Sequence, residues 1–321
     1  MRFGHLDLNL LVALDALLTE RSITLAGQQL HLSQSAVSAA LGRLREYFGD
    51  ELLVQAGRRM VPTAVGAELA GPVRRILLDI QSTVATRPAF DPASSDRRFS
   101  LMMSDYVALV LMVDVVQRVA KLAPGISFEL IHNNVAAPGD HLDHADIDLL
   151  IMPAETLSGG HSKERLFVDD YVCIAWTDND ELGDELSLEA YLKAAHVVMQ
   201  WSRGRALSLD EFVLSKMGLE RHIEVIAMNF GMLPNFVVGT RRLATVQRRL
   251  AQHYVKTIPL KIFEAPLDLP VLDESVHWNA AFDQDPACRW LRQILREVSN
   301  EVAPSASVKR PTKTLAKKRA P

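Results

Sequence analysis

Four short polar side chains, Ser33, Gln34, Ser35 and Ser38, crowd into little more than one helical turn. Serine is a mediocre helix former, so this concentration asks for a reason other than local stability. Hydroxyl and amide groups at a helix N-terminus reach phosphates and base edges. The free N–H groups there add a favourable partial positive charge. Gln34 carries the paired donor and acceptor that match adenine in the major groove. Arg43 and Arg45 follow where backbone phosphates would pass. Arg58 and Arg59 fall at the tip of the next turn, placed for the flanking minor groove or its phosphates. A helical bundle with a serine-rich surface helix has the same composition; the spacing favours DNA reading.

Such residues act only if helices hold them. A helix-turn-helix needs a small residue for close crossing, a tight turn, and a second helix with a short polar N-terminal face. Leu10, Leu11, Leu14, Leu17 and Leu18 stand at helical spacing over residues 8–20, with Asp7 as N-cap. Ser22 opens a second helix to Leu30, Ala26 is its small residue, and His31-Leu32 makes the turn. Ser33 caps a third helix striped by Val37, Leu41, Leu44 and Phe48 and ended by Gly49. Residues 51–61 read as a hairpin around Ala56-Gly57-Arg58, the wing of a winged helix-turn-helix.

Thr63 begins a long helix to about Thr86. Its apolar stripe is Val65, Leu69, Val73, Ile76, Ile80 and Val84, and Pro72 is expected to kink or divide it. The stripe must be buried against the chain's own domain or against the same helix of a second chain; we favour dimerisation. Residues 87–97 (RPAFDPASSDR) read as a linker. Strands then alternate with helices. Strands are predicted at 99–103, 127–131, 148–152, 171–176, 196–200, 222–226, 243–246 and 271–277, with helices between most of them. This pattern implies an α/β fold with a parallel or mixed sheet, and its length suits two small lobes. The expected organisation is a DNA-binding domain at 1–62, a linker and dimerisation helix at 63–87, a hinge at 88–97, a two-lobed effector domain at 98–302 and a disordered basic tail at 303–321.

Net charge is −4, and the tail alone contributes six basic residues, so the remainder stands at −10. Residues 1–63 balance six Arg/Lys against six Asp/Glu. DNA reading therefore rests on placement, not on a basic total. The tail either adds salt-sensitive non-specific DNA affinity or is an inert solvated extension. No apolar run reaches the length of a membrane span, and the N-terminus lacks the order of a signal peptide, so a cytoplasmic protein without a membrane partner is expected. Cys173 and Cys288 are far apart and form no CxxC pair. Cys173 alternates into an apolar strand and reads as core rather than a redox sensor. His141 and His144 have ligand spacing but no third ligand, so no metal site and no cofactor are expected.

Ser22-x-Thr24-x-Ala26, Leu30-x-x-Ser33-Gln34-x-x-Val37-Ser38, Leu41-x-x-Leu44, Phe48-Gly49-x-x-Leu52-Leu53, Arg59 and Thr63-x-x-Gly66 stand in a recurring order and spacing. On these residues the chain resembles the LysR-type regulator family over its whole length. The segments SQSAVSAALGRLREYF and SDRRFSLMMSDY are similar to its NodD-like branch, which senses aromatic or flavonoid inducers. Gly27, where that pattern usually has Ala, predicts a looser second helix. The resemblance implies that Ser22, Thr24 and Thr63 join the DNA contacts. It also implies an effector domain of two lobes like those of periplasmic binding proteins, a small, aromatic or flavonoid-like inducer between them, and homodimers or homotetramers on double-stranded operator DNA. RNA polymerase is a further implied partner.

By position, Ser104-Asp105, Met152-Pro153 and Asn229-Phe230 are expected to face the inducer cleft. At Ser104 a helix N-terminus would favour a carboxylate or phenolate. Arg203 and Arg205 would answer an anionic inducer and Trp201 would stack on an aromatic one. Each has a plainer reading: Ser104 and Asn229 as helix caps, Met152 and Phe230 as core, the arginines as solvated. An enzyme or small-molecule-binding protein with an accessory helical domain is the competing class. It is disfavoured because no Gly-rich phosphate loop, nucleophile elbow or paired carboxylate site stands out, and no catalytic residue is expected.

Overall fold

A computed structural model describes residues 7–56, 59–84, 90–133, 137–157, 160–200 and 209–301. The chain forms two compact units, the first built mainly on residues up to Phe90 and the second on residues from Asp91 onward.

In the first unit, α1 (Leu8–Glu20), α2 (Ile23–Leu30) and α3 (Gln34–Phe48) precede a hairpin of β1 (Leu53–Ala56) and β2 (Arg59–Pro62), and then α4 (Ala64–Val84). Asp7, Ser22 and Ser33 cap the three helices through their side-chain oxygens. His31 takes the left-handed conformation at the turn after α2, with φ 54°, and Gly49 does so after α3, with φ 65°. Leu10, Leu14, Leu17, Ala26, Val37, Leu41, Leu44 and Leu53 fill the core, so the predicted stripes turn inward together. The strands pair antiparallel with Ala56 opposite Arg59. Pro72 lies within a helix that continues on both sides, so α4 is not divided there.

The second unit contains, in order, β3 (Arg98–Met103), α5 (Asp105–Val107), α6 (Val113–Leu122), β4 (Ser127–His132), α7 (Pro138–Asp143), β5 (Leu149–Pro153), β6 (Ser162–Asp169), β7 (Tyr171–Trp176), α8 (Leu188–Lys193), β8 (Ala195–Met199), α9 (Leu209–Lys216), β9 (His222–Ala227), α10 (Leu233–Val237), β10 (Ala244–Gln247), α11 (Arg248–Tyr254), β11 (Leu260–Glu264), β12 (Leu272–Trp278) and α12 (Pro286–Glu301). Residues 108–112 form a π-helical turn that joins α5 to α6.

One sheet has the order β4-β3-β5-β12-β6, parallel at β4-β3-β5 and antiparallel at β12. It forms lobe I. Lobe II holds β10-β7-β11 and the parallel pair β8-β9, linked by a bridge between His196 and Leu243. The chain crosses from lobe I to lobe II at Asp169–Asp170 and returns before Leu272. Mixed sheets were expected; β6 and β11 were not.

Candidate functional site

Ala26 is fully buried where α2 meets α3, and Gly27 packs still closer. A Cβ on Gly27 would stand 2.9 Å from the Leu32 carbonyl oxygen. Glycine therefore lets α2 approach the turn closely, a packing reason for it that stands beside its cost in helix propensity. On α3, Ser35, Ser38, Ala39, Gly42 and Arg43 are exposed while Val37, Leu41 and Leu44 are buried. The outer face is thus small and polar along its first half, shallow enough for a second surface to approach the backbone.

Several predicted DNA contacts are already engaged. Ser22 accepts the N–H of Leu25 at 3.3 Å and Ser33 that of Ala36 at 3.2 Å. Ser33 also shares a hydrogen bond of 3.0 Å with Ser35. Gln34 donates from Nε2 to the Thr24 hydroxyl, linking the two helices, so its amide is not wholly free for a base. Arg45 donates to the carbonyls of Glu51 (2.9 Å) and Leu53 (2.8 Å) and pairs with the Glu51 carboxylate at 3.0 Å. It ties α3 to the wing and does not reach toward phosphates as expected.

Thr63 is likewise half-buried in a joint. Its hydroxyl donates to Asp50 Oδ1 at 2.6 Å and accepts the Gly66 N–H at 3.0 Å. Asp50 also takes the Leu52 N–H at 2.7 Å, and these two bonds hold its carboxyl below the usual range. Leu52 between them is fully buried with φ 59°, a conformation that is strained for a bulky residue and persists only when its surroundings over-determine it. A Cβ on Gly66 would fall 2.2 Å from the Leu52 oxygen. Arg59 begins β2; Arg58 lies outside the described residues.

The stripe on α4 divides. Val73 is buried in the unit's own core, with Leu69, Ala70 and Leu77 packed against that core. Arg74 pairs with Asp15 on α1 at 2.7 Å, although burial still raises the Asp15 carboxyl above its ordinary value. Leu69 and Val73 are therefore taken by the chain's own domain, because α4 has α1 beside it. Val65 and Ile76 remain exposed and Ile80 half-exposed; the side chain of Val84 is outside the described set.

In the second unit, Ser104 caps α5 by accepting the Val107 N–H at 3.3 Å. Asp105 accepts the N–H of Phe230 at 3.2 Å and of Gly231 at 2.6 Å, across from lobe I to lobe II. Asn229 caps the same turn through the Met232 N–H at 3.0 Å. The Phe230 ring meets Tyr106 edge to face, with centroids 6.4 Å apart. Structure thus brings Ser104, Asp105, Asn229 and Phe230 together. Met152 does not join them: it is buried in an apolar cluster with Met102, Leu142, Ile147 and Leu150, because β5 is central in its sheet and covered. Trp201, Arg203 and Arg205 lie outside the described residues.

Sequence reasoning missed a buried polar junction at the crossovers. Tyr106 donates to Asp169 Oδ2 at 2.6 Å, and the Arg249 N–H reaches the same oxygen at 3.1 Å. Glu274 is 3% exposed, and its Oε2 has no hydrogen-bond partner among the described residues. Burial, with the charges of Asp169 and Asp273 beside it, pushes its carboxyl up to about 8. The one sequence signal was an acidic pair, Asp273-Glu274, inside a strand otherwise fit for a core. Deeper in lobe II, Arg221 bonds Asp210 and the Tyr191 hydroxyl, and His196, held to the Tyr191 carbonyl at 2.7 Å, has its pKa lowered to about 4 by burial. Cys173 is buried, and burial raises its thiol to about 12, which fits a core role. Among the described residues no group of three or more His, Cys, Asp or Glu could hold a metal ion, and no helix is long and apolar enough to cross a membrane.

Two family descriptions fit the chain: "Bacterial regulatory helix-turn-helix protein, lysR family" over residues 8–67 and "LysR substrate binding domain" over residues 92–300. Nodulation protein D 1 of Bradyrhizobium sp. (strain NC92) is 44% identical over 306 residues, covering 94% of this chain and 96% of that protein. Nodulation protein D 2 of Rhizobium tropici is 45% identical over 311 residues, covering 96% and 98%. A probable transcriptional regulator from Pseudomonas aeruginosa has a similar structure, with TM-score 0.62, 29% identity and coverage of 92% and 98%. Full-length OxyR from the same organism, at 15% identity, shares the fold with TM-score 0.70 over 96% of this chain and 100% of that one.

Proposed function

This chain belongs to the LysR family of bacterial helix-turn-helix regulators, and from that premise we propose how its parts act. It is a DNA-binding transcriptional regulator with an effector-binding domain, not an enzyme. In our reading residues 1–62 bind operator DNA and 63–87 dimerise, with 88–97 as hinge and 98–302 as the effector domain. The face of Ser35, Ser38, Ala39 and Gly42 enters the major groove, while Arg43, Arg58 and Arg59 meet phosphates. The observation that carries this is the sidedness of α3: small polar residues out, Val37, Leu41 and Leu44 in. Val65, Ile76 and Ile80 form the contact with a second chain, since Leu69 and Val73 are already covered.

The inducer is a small aromatic molecule between the lobes, near Ser104, Asn229 and Phe230. The aromatic pair Phe230–Tyr106 beside two helix caps supports that class. Operator DNA, further copies of the chain and RNA polymerase are the partners this scheme requires, in the cytoplasm. Ser35→Ala and Ser38→Ala are expected to change which operator bases are preferred, by about 1–3 kcal/mol per base pair lost at most. Footprinting and competition with scrambled operator measure it; unchanged selectivity in both variants would remove α3 as the reading helix. Thermal shift of the full chain against aromatic acids, chlorinated phenols and flavonoids tests the inducer class.

A further inference from the structure

The Asp105 carboxylate sits in the first turn of α5 in lobe I. Its two oxygens take the N–H groups of Phe230 and Gly231, at 3.2 and 2.6 Å, on the turn that leads into α10 in lobe II. First-turn N–H groups have no partner within their own helix, and a carboxylate binds such donors more strongly than a neutral oxygen does. The same residue is also held through the following peptide unit, where the Tyr254 hydroxyl donates to the Gly231 carbonyl at 3.0 Å. A Cβ on residue 231 would lie 3.2 Å from Tyr254 Oη and 3.3 Å from both Asp105 Oδ2 and Leu109 Cδ1, so an alanine there would press these side chains back by a few tenths of an ångström. Phe230 then rests against Tyr106, whose hydroxyl is bonded to Asp169 at the first crossover. The carboxylate thus connects α5 to the turn before α10, and the Phe230–Tyr106 contact carries the connection on to Asp169 at the crossover.

We propose that Asp105 is an inter-lobe latch: it holds lobe II against lobe I, and the regulatory state of the chain changes when it opens. That an inducer opens it rests on the function proposed above; the latch itself does not. Asp105 is only half-buried, so the opened carboxylate and amides regain water. The contact therefore biases the lobes by about ten- to a hundredfold rather than welding them, a range within reach of a ligand.

Lys121→Cys in lobe I and Lys193→Cys in lobe II place spin labels on exposed positions, while Cys173 and Cys288 are buried. The full-length labelled chain, diluted with unlabelled chain, reports the inter-lobe distance without inducer. Asp105→Ala is expected to broaden and shift that distance distribution and to change inducer-free output from an operator reporter at least severalfold. Gly231→Ala crowds the carboxylate without removing it and is expected to act in the same direction. Should Asp105→Ala fail to fold, Asp105→Asn, which keeps the size and removes the charge, decides. A folded Asp105 variant whose distance distribution coincides with the unsubstituted chain overturns the latch. A shifted distribution with no thermal response to any aromatic compound upholds the latch and removes the inducer reading instead.

Discussion

Arg43 and Arg45 lie on the same stretch of α3 and have different surroundings. Arg45 is bonded to the carbonyls of Glu51 and Leu53, whereas Arg43 is exposed. Arg43→Ala is expected to weaken binding to all DNA sequences and reduce the slope of log affinity against log salt by about 1. Arg45→Ala is expected to lower the melting temperature by loosening the wing and to leave that slope nearly unchanged. Salt-titrated binding beside thermal denaturation separates the two; a full unit of slope lost in Arg45→Ala contradicts the assignment. The sequence marked both arginines alike because a guanidinium's partner is a backbone carbonyl that no side-chain pattern announces. Asp105 poses the same difficulty on a longer scale, since its partners lie 125 and 126 residues away. Caps are the reverse case: Ser22, Ser33 and Asn229 bond within three residues and were readable at once.

The joint between α3, the wing and α4 is where local strain is concentrated. Asp50, Leu52, Thr63 and Gly66 recur together because the left-handed Leu52 needs the Asp50 and Thr63 bonds, and its carbonyl needs the space of a missing Cβ. Gly66→Ala improves helix propensity by about 1 kcal/mol. It is nonetheless expected to destabilise the first unit by about 1–3 kcal/mol, because backbone must move to relieve the overlap. Denaturant unfolding measures the sign, and a stabilised variant would show that the joint yields freely. Helices α1, α2 and α3 were legible because each buries one stripe at the helical period, and the hairpin because turn residues separate its two short strands. Strand β6 was not: Ser162, Lys163, Glu164 and Arg165 carry polar groups along an edge with little buried, and only Leu166, Phe167 and Asp169 face inward. Met152 was misplaced for a related reason, since a strand covered on both faces gives no alternation by which to choose a side.

At the scale of the whole molecule, the buried groups set how stability follows pH. The folded chain keeps Glu274 protonated up to about 8, while an exposed glutamate releases its proton near 4.5. The folded state binds more protons across that window, so Glu274 lowers stability as pH rises through it. Glu274→Gln, which mimics the protonated form, is expected to raise the melting temperature more at pH 8 than at pH 5; equal gains at both would place the carboxyl in solvent. His196 works the other way, its neutral form being favoured down to about 4, so its contribution is lost as pH falls below 6.5. Glu274 also sits where the chain re-enters lobe I, and that return path governs the order in which the protein can assemble. Among the described residues β6 pairs only with β12, and β12 is the last of the described strands to be made. As the chain leaves the ribosome, lobe I must therefore wait with one strand unpaired while all of lobe II is synthesised. Lobe II, contiguous in sequence, can close first, and the older lobe is completed by the younger strand.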